Sequence, residues 1–265
     1  MCSSDLRLMI AWKMILQRAK VRLAYRADFL IMAVGDVLLA AVGLLFLTTL
    51  FHHLPGLGGW SAAEVLYCWG FAEAAVGLFF VVFGGLFVLN QRYIVGGELD
   101  RVLLRPLDPY AQVLLDNVSW EDLPVLVLGV GAMAWAAPDL GDIAAWRWAM
   151  VPLLVVTAAC VLGGLLTAVS SAGFHLHHRG TSVGLVFQLS TFTRYPLDLF
   201  HPALRLLLTF ALPLGFAGFY PASLVLHATE WHPYALVQPV VGIAALALGY
   251  AAFRFGLTRY ASSGT

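Results

Sequence analysis

Long apolar runs recur along the whole chain, and they constrain its fold more than any motif does. The hydrocarbon core of a bilayer is about 30 Å thick, which asks for about 20 predominantly apolar residues per helix. Runs at 28–51, 62–89, 119–137, 149–174, 203–219 and 234–253 meet or approach that length. Of the 265 residues, 61% are hydrophobic and only 11% are charged, with a mean hydropathy of +0.85. A soluble domain is roughly 45–50% apolar and about 25% charged. So much apolar surface cannot be hidden inside one soluble domain of this length, so lipid must be the solvent for much of it. The fold class expected is all-α: a polytopic membrane protein with six transmembrane helices.

Between the runs lie segments of different chemistry. Residues 52–60, with Pro55, Gly56, Gly58 and Gly59, form a tight connection, and Ser61 with Glu64 three residues on spells a capping box for the second span. That span is longer than a bilayer requires, so it tilts or projects. A polar loop follows at 90–110, and the third span begins next to Glu121 and Asp122. The stretch 183–199 is apolar but interrupted by Arg194 and Pro196, a poor spanning helix that reads better as an in-plane or re-entrant piece. The fifth span is therefore placed at 203–219, and the outside loop before the sixth at 220–233.

Charge sets the orientation. Six of the fifteen basic residues precede position 27, namely Arg7, Lys13, Arg18, Lys20, Arg22 and Arg26. With the N-terminus inside, Arg92, Arg101, Arg105, Arg179, Arg194, Arg254 and Arg259 join them on the inner side, only Arg147 lies outside, and Arg205 sits at a boundary. Short inner loops carry the Lys/Arg excess, so both termini are expected in the cytoplasm. The organisation that follows is a basic amphipathic surface helix at 1–27, a six-helix domain at 28–258 and a cytoplasmic tail at 259–265. The run 28–51 is long enough to span and has no small-residue cleavage site, so it reads as a retained first span rather than a signal peptide.

Several chemistries are excluded. The last lysine is Lys20, and a phosphate-binding loop G-x-x-x-x-G-K-[ST] needs a lysine. If ATP drives this protein, another polypeptide binds it. Cys2, Cys68 and Cys160 show no ligand or redox spacing. His175, His177 and His178 beside Arg179 lack a supporting ligand, as do His52 and His53, so no metal is assigned. No H-E-x-x-H or G-x-S-x-G motif supports a membrane-embedded enzyme.

The segment Gly96-Gly97-Glu98-Leu99-Asp100-Arg101-Val102-Leu103-Leu104-Arg105-Pro106-Leu107-Asp108-Pro109 is the most informative. Two glycines permit a sharp turn out of the second span, and Pro106 and Pro109 stop the short helix between them. Leu99, Val102 and Leu103 are expected on one face, with Glu98, Asp100, Arg101 and Arg105 on another. This string resembles the first inner loop of type-2 permeases of ATP-binding-cassette (ABC) exporters, in particular a bacterial six-span branch with a Gly-Glu-Leu-Asp…Leu-Leu-Arg-Pro-Leu signature. Arg22 to Phe29, Gly59-Trp60-Ser61, Arg194-Tyr195-Pro196-Leu197 and Tyr220-Pro221-Ala222 are similar to that branch in the same order. The resemblance implies a multi-pass inner-membrane permease that pairs with itself or a paralogue and docks on a cytoplasmic ATPase holding ATP and Mg. No cofactor is then bound by this chain. It also implies that the loop with Gly97, Glu98, Leu99, Asp100, Arg101, Arg105 and Pro106 couples the two, and that the cargo is exported.

Charges within the apolar runs are expensive and functional by default. Asp36 lies in the first span and Glu73 in the second. They either line a path favouring cationic or hydrogen-bonding amphiphiles, or pack, protonated or hydrogen-bonded, between helices. In an ion-driven transporter, the competing reading, they would carry protons. The recurring glycines (Gly35 with Gly43, Gly77 with Gly84 and Gly85, Gly163 with Gly164) read as helix-packing sites. Phe79, Phe80, Phe83 and Phe87 read as packing, and Trp60, Trp146, Trp148 and Trp231 as interfacial anchors.

Overall fold

The computed structural model describes residues 26–53, 56, 58–176, 182–226 and 229–260, with positions 9, 12–14, 16, 17 and 20 of the N-terminal segment. Most of the expected surface helix at 1–27, the side chain of His175, all of His177, His178 and Arg179, and most of the tail lie outside the described residues. Regular structure among the described residues is helical throughout. The long elements are α1 (Arg26–His53), α2 (Ala62–Phe83), the short α3 (Glu98–Leu103) and α4 (Pro109–Asp116), α5 (Leu123–Ala136), α6 (Ala145–Ser171), α7 (Ser182–Leu189) and α8 (His232–Leu257). The stretches 27–53, 62–83, 120–140, 145–171 and 232–257 are long and apolar enough to cross a membrane.

Helix α2 is the centre of the bundle. Its start is fixed by the capping box: the Ser61 amide donates to Glu64 Oε2 at 2.9 Å and the Glu64 amide to Ser61 Oγ at 3.3 Å. Tyr67, Trp69, Phe71 and Phe79 are fully buried because α5, α6 and the segment after α7 pack around α2. Beyond Phe83 the chain does not stop at the expected 89. It continues through Leu86–Val88 into a wide π turn, Leu89–Val95. Helix α1, in contrast, leaves Leu30, Ile31, Leu38, Leu39 and Phe46 exposed, as a helix does when lipid replaces protein neighbours.

Helices α6 and α8 form the tightest long pair. A Cβ on Gly164 would strike the Ala245 carbonyl, and one on Gly249 would strike Gly164, so the two backbones meet where neither carries a side chain. The pair is also pinned by Thr157 Oγ1 and Gln238 Oε1 at 2.7 Å. The expectation that glycines mark contacts holds for Gly77 against Leu126 and for Gly163 against Phe83, whereas a Cβ on Gly35 would meet nothing.

The structure exchanges the roles of two segments. The stretch beginning at α7, expected to lie in plane, traverses the bundle. Phe187 stacks on Phe79 and meets Phe80 and Phe87 edge to face near the Gly97 end of α2. Further along, Arg194 reaches Glu73 in mid-helix, and Asp198 accepts from Trp60 Nε1 at 3.0 Å at the far end. It crosses as α7, a 3-10 piece Ser190–Arg194 and an extended step at Tyr195. Segment 203–219, expected as the fifth span, instead dips in and returns at the Trp60 end. It is divided into Pro202–Leu206, a π turn Leu207–Ala211, an extended Leu212 and a 3-10 turn Pro213–Ala217. Pro213 removes an amide donor and blocks helix continuation, and Thr209 Oγ1 closes the hairpin on the Tyr220 hydroxyl at 2.6 Å. Phe219 meets Trp60, Tyr220 stacks on Tyr234, and Arg147 donates to the Leu224 carbonyl, all at that end. Among the described residues, the segment from α7 to Asp198 thus runs the length of the bundle beside the five helices long enough to cross a membrane, and Arg26 and Leu257 lie at the same end as Gly97.

Candidate functional site

The polar loop folds into a rigid knob at the Gly97 end. Gly97 caps α3 with φ 74°, a left-handed conformation that costs a residue with a Cβ about 1–2 kcal/mol. The turn sends the chain sideways from the π turn into α3, a helix of six residues. Leu99 and Val102 point into the core and are buried. Leu103, expected beside them, is 43% exposed and Leu104 is 87% exposed. Leu103 lies four positions after Leu99, on the same side of the helix, but it is the last residue of α3, where the packing that covers Leu99 and Val102 has ended. Arg101, Leu103, Leu104, Arg105 and Pro106 thus make an exposed ridge, with Gly97, Glu98 and Asp100 half-buried behind it.

The knob is braced on every side. Arg92 Nε meets Glu98 Oε2 at 2.7 Å and Arg105 Nη1 meets Asp116 Oδ2 at 3.5 Å. Buried Gln112 donates from Nε2 to the carbonyls of Val102 at 3.0 Å and Leu107 at 2.8 Å, closing the loop. Asp108 caps α4 by accepting from the Ala111 amide at 3.0 Å. Its other carboxylate oxygen accepts from the Tyr250 hydroxyl at 2.8 Å and faces Arg254 Nη1 at 3.7 Å. Past α8, burial and the facing Asp100 carboxylate push the Tyr260 phenol above its ordinary value. The last helix is thereby tied to the loop at two points. Sequence reasoning missed Gln112, Tyr250 and Tyr260; only Gln112, a polar residue beside the apolar run of α4, left a signal.

The two intramembrane acids do not meet. Glu73 is 2% exposed in the middle of α2, and its Oε1 lies 3.1 Å from Arg194 Nη2, itself 27% exposed. Asp36 is half-buried on α1, which packs against the turn Trp120–Asp122. Sequence reasoning used Arg194 only as a helix breaker and missed it as the partner of Glu73. Trp60 is 6% exposed and turned inward, while Trp146 is exposed. The four phenylalanines of α2 and its extension form a ring cluster with Phe187, centroids 5.2–6.3 Å apart, which is packing. Cys68 is buried and unpaired. Among the described residues no group of three or more His, Cys, Asp or Glu side chains is placed to hold a metal.

A family model described as ABC-2 family transporter protein matches residues 37–264. No curated protein and no solved structure matches the chain. With the match covering both the knob and all the crossings after the first turns of α1, the chain belongs to the ABC-2 family of transporters.

Proposed function

We propose that this chain is the permease subunit of an ABC exporter, with the knob around α3 as the docking element for a separate cytoplasmic ATPase that holds ATP and Mg. The observation that carries the reading is the exposed ridge Arg101–Pro106, led by Leu104, on a loop braced from four directions. A ridge that is exposed yet held rigidly transmits a push; a loose loop absorbs it. The bias of basic residues puts this end in the cytoplasm, with both termini, in a bacterial inner membrane. Two such permeases, identical or paralogous, enclose the path, and alternating access moves an amphiphilic small molecule, drug or lipid-like cargo outward. The contact of Glu73 with Arg194 favours the permease reading over the ion-driven alternative, because it gives the buried acid a structural partner inside the bundle.

The test is gentle affinity purification of the tagged chain from its native membrane, followed by mass spectrometry. Recovery of a stoichiometric soluble protein with a phosphate-binding loop, lost on Leu104→Glu while the permease stays folded, is the expected result. Recovery of the chain alone, under conditions that keep a known ABC complex intact, overturns the reading.

A further inference from the structure

A cavity of about 470 Å³ opens on the flank of the bundle, between α1 and the crossing segment that follows α7, in the Trp60 half. Its walls include Phe46 and Leu50 from α1 and Phe192, Tyr195 and Phe200 from the crossing segment, with Arg194 at its inner side. Volumes of about 300–1,000 Å³ with apolar walls and few polar groups are typical of small-molecule sites. Among the described residues of the lining, Arg194 is the one charged group. Thr191, also there, donates its hydroxyl to the Gln188 carbonyl at 2.7 Å.

The arrangement of the pair is asymmetric. Glu73 is sequestered behind the guanidinium on the α2 side, and Arg194 stands between it and the cavity. A guanidinium carries five N–H donors in a planar fork, and the single ion pair with Glu73 leaves donors for another acceptor. In apolar surroundings the nearer charge governs what the cavity accepts. An anion is drawn to the fork, and a cation meets the guanidinium before it can reach Glu73.

We propose that this cavity binds the head of an anionic amphiphile, a carboxylate or phosphate, on Arg194. The apolar body lies against Phe46, Phe192 and Phe200. Glu73 acts as a positioning residue that holds the guanidinium at the cavity wall. This deepens the permease reading and rests on it only for the idea that the occupant is cargo. The preference is opposite to the cationic one expected from Glu73 alone.

The test uses the whole chain in phosphatidylcholine nanodiscs, with a diazirine-bearing palmitate as photoprobe. It is run at about pH 8.5 so that the carboxyl is ionised despite its low-dielectric setting. Labelled peptides are mapped after irradiation. The expected result is labelling concentrated near Phe46 and at 191–200, displaced by palmitate and not by hexadecyltrimethylammonium. The Glu73→Gln/Arg194→Gln double variant, which keeps a neutral hydrogen-bonding pair, loses labelling by about tenfold or more, the scale of one charge-assisted contact. Uniform labelling around the bundle, equal displacement by the ammonium compound, or full labelling of a folded double variant overturns the proposal. The competition arm needs only the parent chain, so the proposal stays open to refutation even where the double variant misfolds. Displacement by added phosphatidylglycerol identifies a bilayer lipid as the source of the anion, and its failure identifies a single-chain cargo. Binding here needs no ATPase, so it stands or falls separately from the copurification result.

Discussion

Asp108 Oδ2 accepts a hydrogen bond from the Tyr250 hydroxyl at 2.8 Å across 142 positions of chain. The same carboxylate begins α4 through its Oδ1 and faces Arg254. One side chain thus fastens the knob, the helix that follows it and the last crossing to one another. Asp108→Asn keeps the cap and weakens the links to α8. Asp108→Ala loses the cap too, which costs about 0.5–2 kcal/mol. In reconstituted complexes Asp108→Ala is expected to lower cargo-stimulated ATPase more than Asp108→Asn, with Tyr250→Phe resembling Asp108→Asn. Equal activity of all three would show that the link carries no motion.

Gly97→Ala places a Cβ at φ 74°, which costs about 1–2 kcal/mol. The strain falls on the turn and not on the bundle. The expected outcome is near-normal insertion and thermal stability with reduced ATPase binding in pull-down assays. A variant that binds as well as the parent would mean that the turn tolerates a shift of the ridge.

Gln112→Leu leaves the Val102 and Leu107 carbonyls without their partner. Unsatisfied buried polar groups cost about 1–3 kcal/mol. Limited proteolysis at Arg101 or Arg105 should quicken several-fold, because the loop loses a buried brace that its surface ion pairs, each worth little, do not replace.

Glu73→Ala strands Arg194 without its acid. Breaking a buried pair from one side costs about 3–5 kcal/mol, and the low end applies because Arg194 is 27% exposed. The Glu73→Gln/Arg194→Gln double variant should unfold at a higher temperature than Glu73→Ala in detergent. If the single variant is the more stable, the pair does not hold the crossing segment in place.

Gly164→Leu forces α6 and α8 apart where their backbones meet. Loss of the folded peak on size-exclusion chromatography is expected, whereas Gly35→Leu on the open face of α1 should be silent.

The spans at α1, α2, α5, α6 and α8, the capping box at Ser61 and the knob at Gly97 to Pro106 were legible because each depends on local signals. Apolar length, a side chain capping an amide three residues away, and the turn chemistry of glycine and proline need no knowledge of the rest of the fold. The burial of Leu99 and Val102 followed from the same local geometry, though the exposure of Leu103 did not, since it depends on where a very short helix ends.

The two segments that exchanged roles show where local reading stops. Arg194 argued against a crossing only so long as it stood alone; the acid that compensates it is Glu73, 121 positions earlier. Segment 203–219 was apolar enough to span, but Pro213 and the contact of Thr209 with Tyr220 turn it back. The sequence by itself determined that the chain is a helical membrane protein with a polar knob and without a phosphate-binding-loop motif, because hydropathy, length and residue type are properties of short stretches. Which apolar segment crosses, which turns back, and which charge faces the flank cavity were decided by the tertiary structure, because the energy of a charge in lipid depends on its partner and not on its own position.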